Sequence, residues 1–216
     1  MMTQNSVNNA ASSLTIDPGS DDSFVQFNIN TTGEFRIGVD DTDDSFRIAQ
    51  GSALGTNDTL IIEADGVRTW PLHCVAKYTN NTDRTNVTGD GTTYTMVFDS
   101  SRYDRNSNLS SSTTFTAPET GIYLVSGSIR LAGVTSSHTT GVIQFTGSTS
   151  AKTISSTFNP YTLDDANGTT FAVLNGLIAL TAADTLTLDI TISGGSLVVD
   201  STGRRDSSFM SFYLAG

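Results

Sequence analysis

The chain has 216 residues, of which 15% are charged, and its formal net charge at pH 7 is −11. That length is enough for one large or two small domains with cores of their own. An acidic chain without a basic cluster repels nucleic-acid phosphates, and the apolar runs are all shorter than the ~20 residues of a membrane-spanning helix. We therefore expect no nucleic-acid partner and no membrane insertion.

The charge is concentrated in the first third of the sequence. Up to Trp70 there are 11 acidic residues and 3 arginines, a balance of −8, whereas the remainder has 11 acids and 8 bases, a balance of −3. Threonine, serine, asparagine and glycine are abundant. This composition favours strands and turns over helices, because β-branched side chains fit a pleated surface better than a helix. The composition therefore predicts an all-β protein.

Residues that could perform chemistry are few. Cys74 is the single cysteine, so an intrachain disulfide is excluded, and its apolar surroundings predict a buried thiol. His73 and His138 are the only histidines, too few for the usual zinc sites, and His73 would point away from Cys74 in a strand. The glutamates offer no carboxylate pair of the glycosidase kind. We expect no enzyme, no catalytic residue, no metal site and no cofactor.

The densest acidic run spans residues 40–44. Calcium loops of the helix-loop-helix type need a glycine and a distal bidentate glutamate, which this run lacks. The run is therefore expected to be a solvated turn that protects an edge strand from aggregation.

Residues 1–20 are polar and rich in asparagine and serine, and we expect a flexible or partner-bound leader there. The N-terminus shows no basic region followed by a hydrophobic segment, so synthesis in the cytoplasm is expected.

Residues 21–70 contain short runs of alternating apolar and polar residues separated by turn signals, which predict strands. The four runs are residues 24–29, 34–39, 45–48 and 59–62. They are too short for a monomeric core, so we expect a β-rich trimeric neck in which the apolar side chains pack against copies of themselves. The side chains expected there are Phe24, Phe27, Phe35, Phe46 and Ile48. The sequence of residues 45–51, SFRIAQG, followed by Leu54-Gly55-Thr56, resembles the β-rich neck of bacteriophage tail fibres.

From His73 onward, strand-like runs alternate with polar loops about every 10 residues, the spacing of a β-sandwich or jelly roll. The long loops are predicted at residues 79–92, 100–113, 133–141, 147–167 and 194–207. The central stretch is Phe115 to Leu131, where a Pro-Glu-Thr-Gly turn precedes a long strand. Small residues in the middle of that strand, Ser126 to Ser128, indicate close approach by a neighbouring element or subunit.

The pattern Phe-x-x-Pro-x-x-Gly-x-Tyr in this stretch resembles the signature of the globular head of complement subcomponent q, a trimeric jelly roll related to tumour necrosis factor. Its residues here are Phe115, Pro118, Gly121 and Tyr123. The resemblance implies that residues 71–216 form an antiparallel jelly-roll head and that the chain is a homotrimer. Ala183 and Ser211 depart from the family, which usually has glycine at both positions.

Two sets of residues are candidates for function in this head. Tyrosine and arginine are over-represented in binding hot spots, and residues of these types in the loops are expected to bind a ligand. The ligand-binding candidates are Arg102, Tyr103, Asn159, Tyr161, Arg204 and Arg205. The candidates for the core and the trimer interface are Tyr123, Phe209, Phe212 and Tyr213. Because side chains alternate along the last strand, one of its faces should fill the sandwich and the other should meet neighbouring subunits. Arg102 and Arg204 could instead pair with Asp104 and Asp206.

Three interpretations of the function remain open. The first is a viral, phage-type fibre or receptor-binding protein, made in the host cytoplasm and located in the virion. Its head would bind a host-surface glycan or protein, and its N-terminus would join other virion or fibre proteins. The second is a bacterial trimeric adhesin of the same architecture, outside the cell or on its surface. The third is a purely structural trimerisation clamp of a fibre or virion.

Overall fold

The computed structural model describes residues 16, 19–29, 33–105, 107–163, 165, 167–204 and 206–215. The chain divides into two compact units, Met1–His73, here called the N-terminal unit, and Cys74–Gly216, here called the head. The predicted boundary after residue 70 lies close to this division. Most of the leader predicted for residues 1–20 lies outside the described residues.

The described residues form 17 β-strands, and their helical segments are two 3-10 turns, Ser150–Lys152 and Tyr161–Leu163. Among these residues no helix has the length and apolar character needed to cross a membrane. The prediction of an all-β protein is confirmed.

The N-terminal unit contains one antiparallel sheet in which each strand pairs with the next along the chain. Its strands are β1 (Ser23–Ile29), β2 (Gly33–Asp40), β3 (Ser45–Gln50), β4 (Asp58–Ile62) and β5 (Arg68–Thr69). The first four correspond to the four predicted runs. The fifth, with only two residues, is too short to show an alternating pattern in the sequence.

The two faces of this sheet differ sharply in character. Side chains alternate between the faces along each strand, and the pairing register places like beside like: Phe27 lies opposite Phe35, and Ile37 lies between Val25 and Ile48. Within β1 to β4 one face consists almost entirely of apolar side chains, here called the apolar face. Its members are Val25, Phe27, Phe35, Ile37, Val39, Phe46, Ile48, Leu60 and Ile62.

Burial in this unit is the reverse of the usual arrangement. On β3 the residues of the opposite face, Ser45, Arg47 and Ala49, are buried, whereas Phe46 on the apolar face is exposed. The β3–β4 connection lies over the buried side, where Leu54 is buried and Gly55 approaches Asp40. The sheet therefore covers its polar face with its own loop and leaves its apolar face accessible.

Phe24 was expected with the other aromatic side chains of the neck, and this expectation is wrong. Its register partner is Gly38, and it lies on the polar face, where the Arg36 guanidinium is 4.2 Å from its ring centroid. A Cβ at Gly38 would come within 2.6 Å of the Phe24 Cβ. The glycine therefore allows β1 to lie close to β2 at Phe24.

The head contains two antiparallel sheets. The first head sheet has the order β7-β16-β11-β17-β6-β9, and β14 pairs with the other side of β11. Its strands are β6 (Val75–Thr79), β7 (Arg84–Thr88), β9 (Ser100–Asp104), β11 (Gly121–Ala132), β14 (Thr170–Leu180), β16 (Val199–Ser201) and β17 (Phe209–Leu214).

The second head sheet has the order β10-β15-β12-β13, and β8 also pairs with β15. Its strands are β8 (Thr93–Thr95), β10 (Phe115–Thr116), β12 (Thr140–Gly147), β13 (Ile154–Phe158) and β15 (Thr185–Ser193). The chain crosses between the sheets at each step from β7 to β12 and again at each step from β13 to β16. This alternation of antiparallel strands between two packed layers is a jelly roll, which confirms the predicted fold class.

Aromatic side chains from both sheets meet in the core of the head. The rings of Phe115 and Phe212 stack with centroids 3.7 Å apart, and Phe145 contacts Phe212 edge-on at 6.0 Å. Gly127 makes this packing possible, because a Cβ there would lie 2.9 Å from the Leu188 methyl groups and 3.0 Å from Phe145. The small residues predicted to allow close approach on β11 do so here, toward side chains of the second sheet.

Four of the predicted long loops contain strands. Strands β7, β9, β13 and β16 lie within residues 79–92, 100–113, 147–167 and 194–207 respectively. These strands are short and consist mainly of polar residues, so their sequences do not differ from those of turns. Consequently Arg102 and Tyr103, predicted in a loop, lie on β9.

Ala183 stands where the complement q family usually has glycine, and its φ is 71°. This left-handed conformation is unfavourable for an L-residue with a Cβ, whereas glycine adopts it readily. We expect Ala183→Gly to raise the free energy of unfolding of the head by about 1 kcal/mol. Thermal denaturation would measure this as a higher melting temperature. Ala179→Gly, on the exposed face of β14, is the control and should lower it.

Candidate functional site

The outer face of the first head sheet, here called the head face, exposes several large apolar side chains. Leu124 is 46% exposed and lies between Leu177 of β14 and Tyr213 of β17, which are 62% and 48% exposed. Ile122, Phe171 and Val173 are exposed on the same side of the sheet. An apolar patch of this kind on a folded domain marks a surface for association.

The predicted core and interface residues divide between the two sides of this sheet. Tyr123 and Phe212 are buried in the sandwich, and the Tyr123 hydroxyl donates to the Glu119 carbonyl at 2.7 Å. Burial raises the pKa of Tyr123 to about 12. Phe209 and Tyr213 lie on the head face, where Phe209 is half-buried beneath the Lys77 ammonium, 4.6 Å from its ring centroid.

Small polar side chains interrupt the apolar residues of the head face. Ser126 lies between Asn175 and Ser211, and Ser128 donates its hydroxyl to the Ser207 carbonyl at 2.9 Å. Ser211 is the second departure from the family's glycine. Ser211 lies in the middle of the face opposite Ser126, so this position accommodates a small side chain as well as glycine.

Arg102 is held within the head by an ion pair. It contacts Asp206 at 2.5 Å, and Lys77 contacts the other oxygen of the same carboxylate at 3.2 Å. Hydrogen bonds from Arg102 and then Lys77 hold the pKa of Asp206 at about 2, below its usual 3.8. The expected partner of Arg102, Asp104, instead accepts hydrogen bonds from the backbone of Asn108 and Leu109.

Asn159 and Tyr161 lie together at a different edge of the head. The Asn159 side chain accepts from the backbone N–H groups of Tyr161 and Thr162 at 3.1 and 3.4 Å, so it caps the 3-10 turn. The Tyr161 ring is 46% exposed. Asn159 therefore has a structural role, and Tyr161 is the residue of the two whose side chain is accessible for binding.

The five ligand-binding candidates among the described residues therefore do not form one site within a chain. Arg102 and Tyr103 lie on β9, one edge of the first head sheet, while Tyr161 follows β13, the far edge of the second. Arg204 is exposed in the loop before β17, close in sequence to Asp206. Arg205 lies outside the described residues.

His138 was not singled out from the sequence, yet it ties together loops at one end of the head. The buried ring accepts from the Thr135 N–H through Nδ1 at 2.9 Å, and Nε2 lies 3.2 Å from the Ser196 carbonyl, to which it donates. A Cβ at Gly195 would lie 2.4 Å from Nε2. A single histidine among serines and threonines gives no signal of this role in the sequence.

The Cys74 thiol is buried as predicted, with 1% of the residue exposed. Burial, assisted by the charge of Asp104, raises the pKa of the thiol to about 11. The thiol is therefore un-ionised at neutral pH and unsuited to nucleophilic attack.

In the N-terminal unit, Arg47 lies among three carboxylates. It contacts Asp40 at 3.1 Å and Asp43 at 2.5 Å, and it donates to Asp58 as well. Burial disfavours the charged guanidinium, but the carboxylates, led by Asp58, outweigh that effect and raise the pKa of Arg47. The interpretation of residues 40–44 as a wholly solvated turn is thus wrong for Asp40, which is 5% exposed.

One group of carboxylates in the described part of the chain has the spacing of a cation site. Oxygens of Asp22, Asp40 and Asp41 lie within 4.8 Å of one another beside a shallow pocket of about 610 Å³. Asp40 is already neutralised by Arg47, and Asp41 is exposed. Desolvation raises the pKa of Asp41, and its acidic neighbours, first of all Asp22, raise it further.

The chain was compared with known proteins. No family model and no curated protein sequence matches it. Similar solved structures include murine APRIL, with 13% identity and a TM-score of 0.47 over 66% of this chain and 98% of that one. The globular domain of zebrafish complement 1qA has 13% identity and a TM-score of 0.44 over 66% and 98%. Eiger TNF from S. frugiperda has 17% identity and a TM-score of 0.47 over 67% and 93%.

Proposed function

We propose that this chain is the subunit of a homotrimeric, phage-type fibre protein whose head attaches a virion to a host-cell surface. The observation that supports the proposal most directly is the head face, with Leu124, Leu177 and Tyr213 exposed side by side. Such a surface requires a partner, and a copy of the same chain is always available at the site of synthesis. The N-terminal unit would join other virion or fibre proteins.

The mechanism proposed is avidity. A trimer presents each surface group three times on a rigid support, and linked weak sites bind a repetitive surface ~10²- to 10⁴-fold more strongly than one site alone. The partner class is a glycan or protein of the host surface. Because Tyr103 and Tyr161 lie at opposite edges of one head, groups from two adjacent chains would have to combine if they contact the same ligand.

Binding rather than catalysis is also part of the proposal. The Cys74 thiol is buried with a raised pKa, and both ring nitrogens of His138 are engaged by backbone groups or by Thr135. A bacterial adhesin of the same architecture would use the same surfaces. The genes that neighbour the coding sequence would distinguish a bacterial adhesin from a viral fibre protein.

A purely structural clamp is the second candidate, favoured by a specific observation. Arg102 is paired with Asp206, and Asn159 caps its own turn, so two of the candidate binding residues already have partners within the head. In that case the head would hold three chains together while another protein recognises the host.

Attachment to cells distinguishes the two candidates. We expect the double substitution Tyr103→Ala with Tyr161→Ala to leave the trimer and its melting temperature unchanged, because both rings are exposed. It should lower attachment to susceptible cells about tenfold or more, since hot-spot side chains often contribute ~2 kcal/mol. Fluorescently labelled protein and flow cytometry would measure this.

The matched control is Leu197→Ala, which removes an exposed side chain from a different loop and should leave attachment unchanged. Unchanged attachment by the double variant would favour the clamp.

A further inference from the structure

The apolar face of the N-terminal unit is a second large surface that none of the described residues of its own unit covers. Phe27 is 52% exposed, Phe35 42%, and Val39 40%. Strands β1 to β4 are spaced about 4.8 Å apart and rise about 3.3 Å per residue, so the face measures about 20 Å by 20 Å. A single-layer sheet with such a face is incomplete, because sheets bury an apolar face against another layer.

The opposite face already has its own cover and its own charge balance. Arg47 is neutralised by Asp40, Asp43 and Asp58, and the residues after β3 lie over it. Farther along this side, Arg36 donates to Gln26 at 3.0 Å. The polar side is therefore covered and charge-balanced within one chain around Arg47, whereas the apolar face has no comparable cover among the described residues.

We infer that the apolar face packs against the same face of the other two chains of the trimer, so that three N-terminal sheets share one core. This inference rests on the proposed trimeric head, which would hold three N-terminal units at high effective concentration. Like faces suit one another here because β1 to β4 contribute no charged side chain to the face. Arg68 of β5, opposite Ile62, is the charged residue at its rim.

The composition of the face favours copies of this chain over a foreign partner. A surface evolved for another protein normally includes polar groups that fix orientation and specificity, and its rim is charged or hydrogen-bonding. In this face Phe27 and Phe35 are neighbours, and Ile37 lies among Val25 and Ile48, as in the interior of a domain. Permanent interfaces between identical subunits have this character.

Single-cysteine labelling of the full-length protein tests the inference. The native Cys74 is buried with a thiol pKa of about 11, so an introduced thiol is the reactive one. Val25→Cys places the thiol on the apolar face, and Asn28→Cys, on the same strand, places it on the opposite face. Both positions are exposed in a single chain. Each variant is treated with a maleimide and with a short bismaleimide cross-linker, and its mass is measured by light scattering.

We expect Val25→Cys to react at least tenfold more slowly than Asn28→Cys in the native trimer and at the same rate in denaturant. The cross-linker should join Val25→Cys chains and not Asn28→Cys chains. Equal native rates in a protein of trimeric mass would overturn the inference while leaving the proposed head trimer intact. Slow labelling without cross-linking, or slow labelling at monomeric mass, would also overturn it, because the cover would then come from the same chain. A monomeric mass would in addition contradict the proposed function.

Discussion

Replacing Leu124 with glutamate is expected to convert the proposed trimer into monomers. Leu124 lies on the head face, between Leu177 and Tyr213, and is 46% exposed in one chain. In an assembled head the new carboxylate would be buried without a partner, at a penalty of about 3 kcal/mol or more per chain, a factor of ~100 in an equilibrium constant. The single chain should fold as before, because the side chain points away from the core.

Light scattering at micromolar concentration should then give a mass near that of one chain, 22.8 kDa, in place of about three times that value for the unmodified protein. Thr93→Glu introduces the same charge at an exposed position of the second head sheet and should leave the trimer intact. A trimeric Leu124→Glu protein would show that the head face is not needed to hold the chains together, and attachment by a monomer at undiminished strength would contradict avidity.

The substitution Arg47→Met is expected to destabilise the N-terminal unit strongly. It removes the cation while Asp40 and Asp58, both buried, keep their charges. Removing one partner of a buried ion pair typically costs about 3–5 kcal/mol, because the remaining charge is uncompensated. Chemical denaturation at fixed protein concentration, followed by the fluorescence of Trp70, the single tryptophan, would report on this unit.

Neutralising the carboxylates provides the control. The triple variant Arg47→Met with Asp40→Asn and Asp58→Asn should recover much of the lost stability, since the amides need no counter-charge. Arg102→Met removes an exposed arginine from the head and should leave the Trp70 transition unchanged. If Arg47→Met alone had no effect on that transition, the carboxylate cluster would be a surface feature without a role in folding.

The fold of the head could be predicted because strand-like runs and polar loops follow one another about every 10 residues, and because the pattern that starts at Phe115 resembles a jelly-roll family. On β11 and β17 both faces carry bulky residues, and only the burial alternates, with Tyr123, Val125 and Phe212 among the buried side chains. The strands that were missed, such as β9 and β13, lie at or near sheet edges, where few side chains are buried and polar residues are tolerated.

The candidate site was less predictable, because ion pairs depend on contacts between distant parts of the chain. Asp104 is two residues from Arg102, yet the partner of Arg102 is Asp206, brought close by the pairing of β17 with β6 and of β6 with β9. Asn159 was predicted to bind a ligand because its sequence context indicates a loop. The sequence does not show that the backbone N–H groups of Tyr161 and Thr162 need the Asn159 side chain as an acceptor.

In the N-terminal sheet, the sequence pattern predicts which side chains share a face. Of the five side chains expected to pack together, Phe27, Phe35, Phe46 and Ile48 lie on one side of the sheet. Phe24 lies on the opposite side, because it is three residues from Phe27 in a strand whose side chains alternate between faces. The alternating pattern, applied to Phe24, would have predicted this.

The inverted burial of the N-terminal sheet has a consequence for the order of events during synthesis. The ribosome produces this unit before the head, so its apolar face is exposed while the rest of the chain is still being made. The ionic cluster around Arg47 can form at that stage, because its four members lie within residues 40–58 of one nascent chain. In the proposed trimer the hydrophobic side remains in water until three finished heads have met. Dilute conditions and infrequent initiation of translation should therefore raise the yield of soluble protein, because neighbouring nascent chains would otherwise pair through this face before their heads are complete.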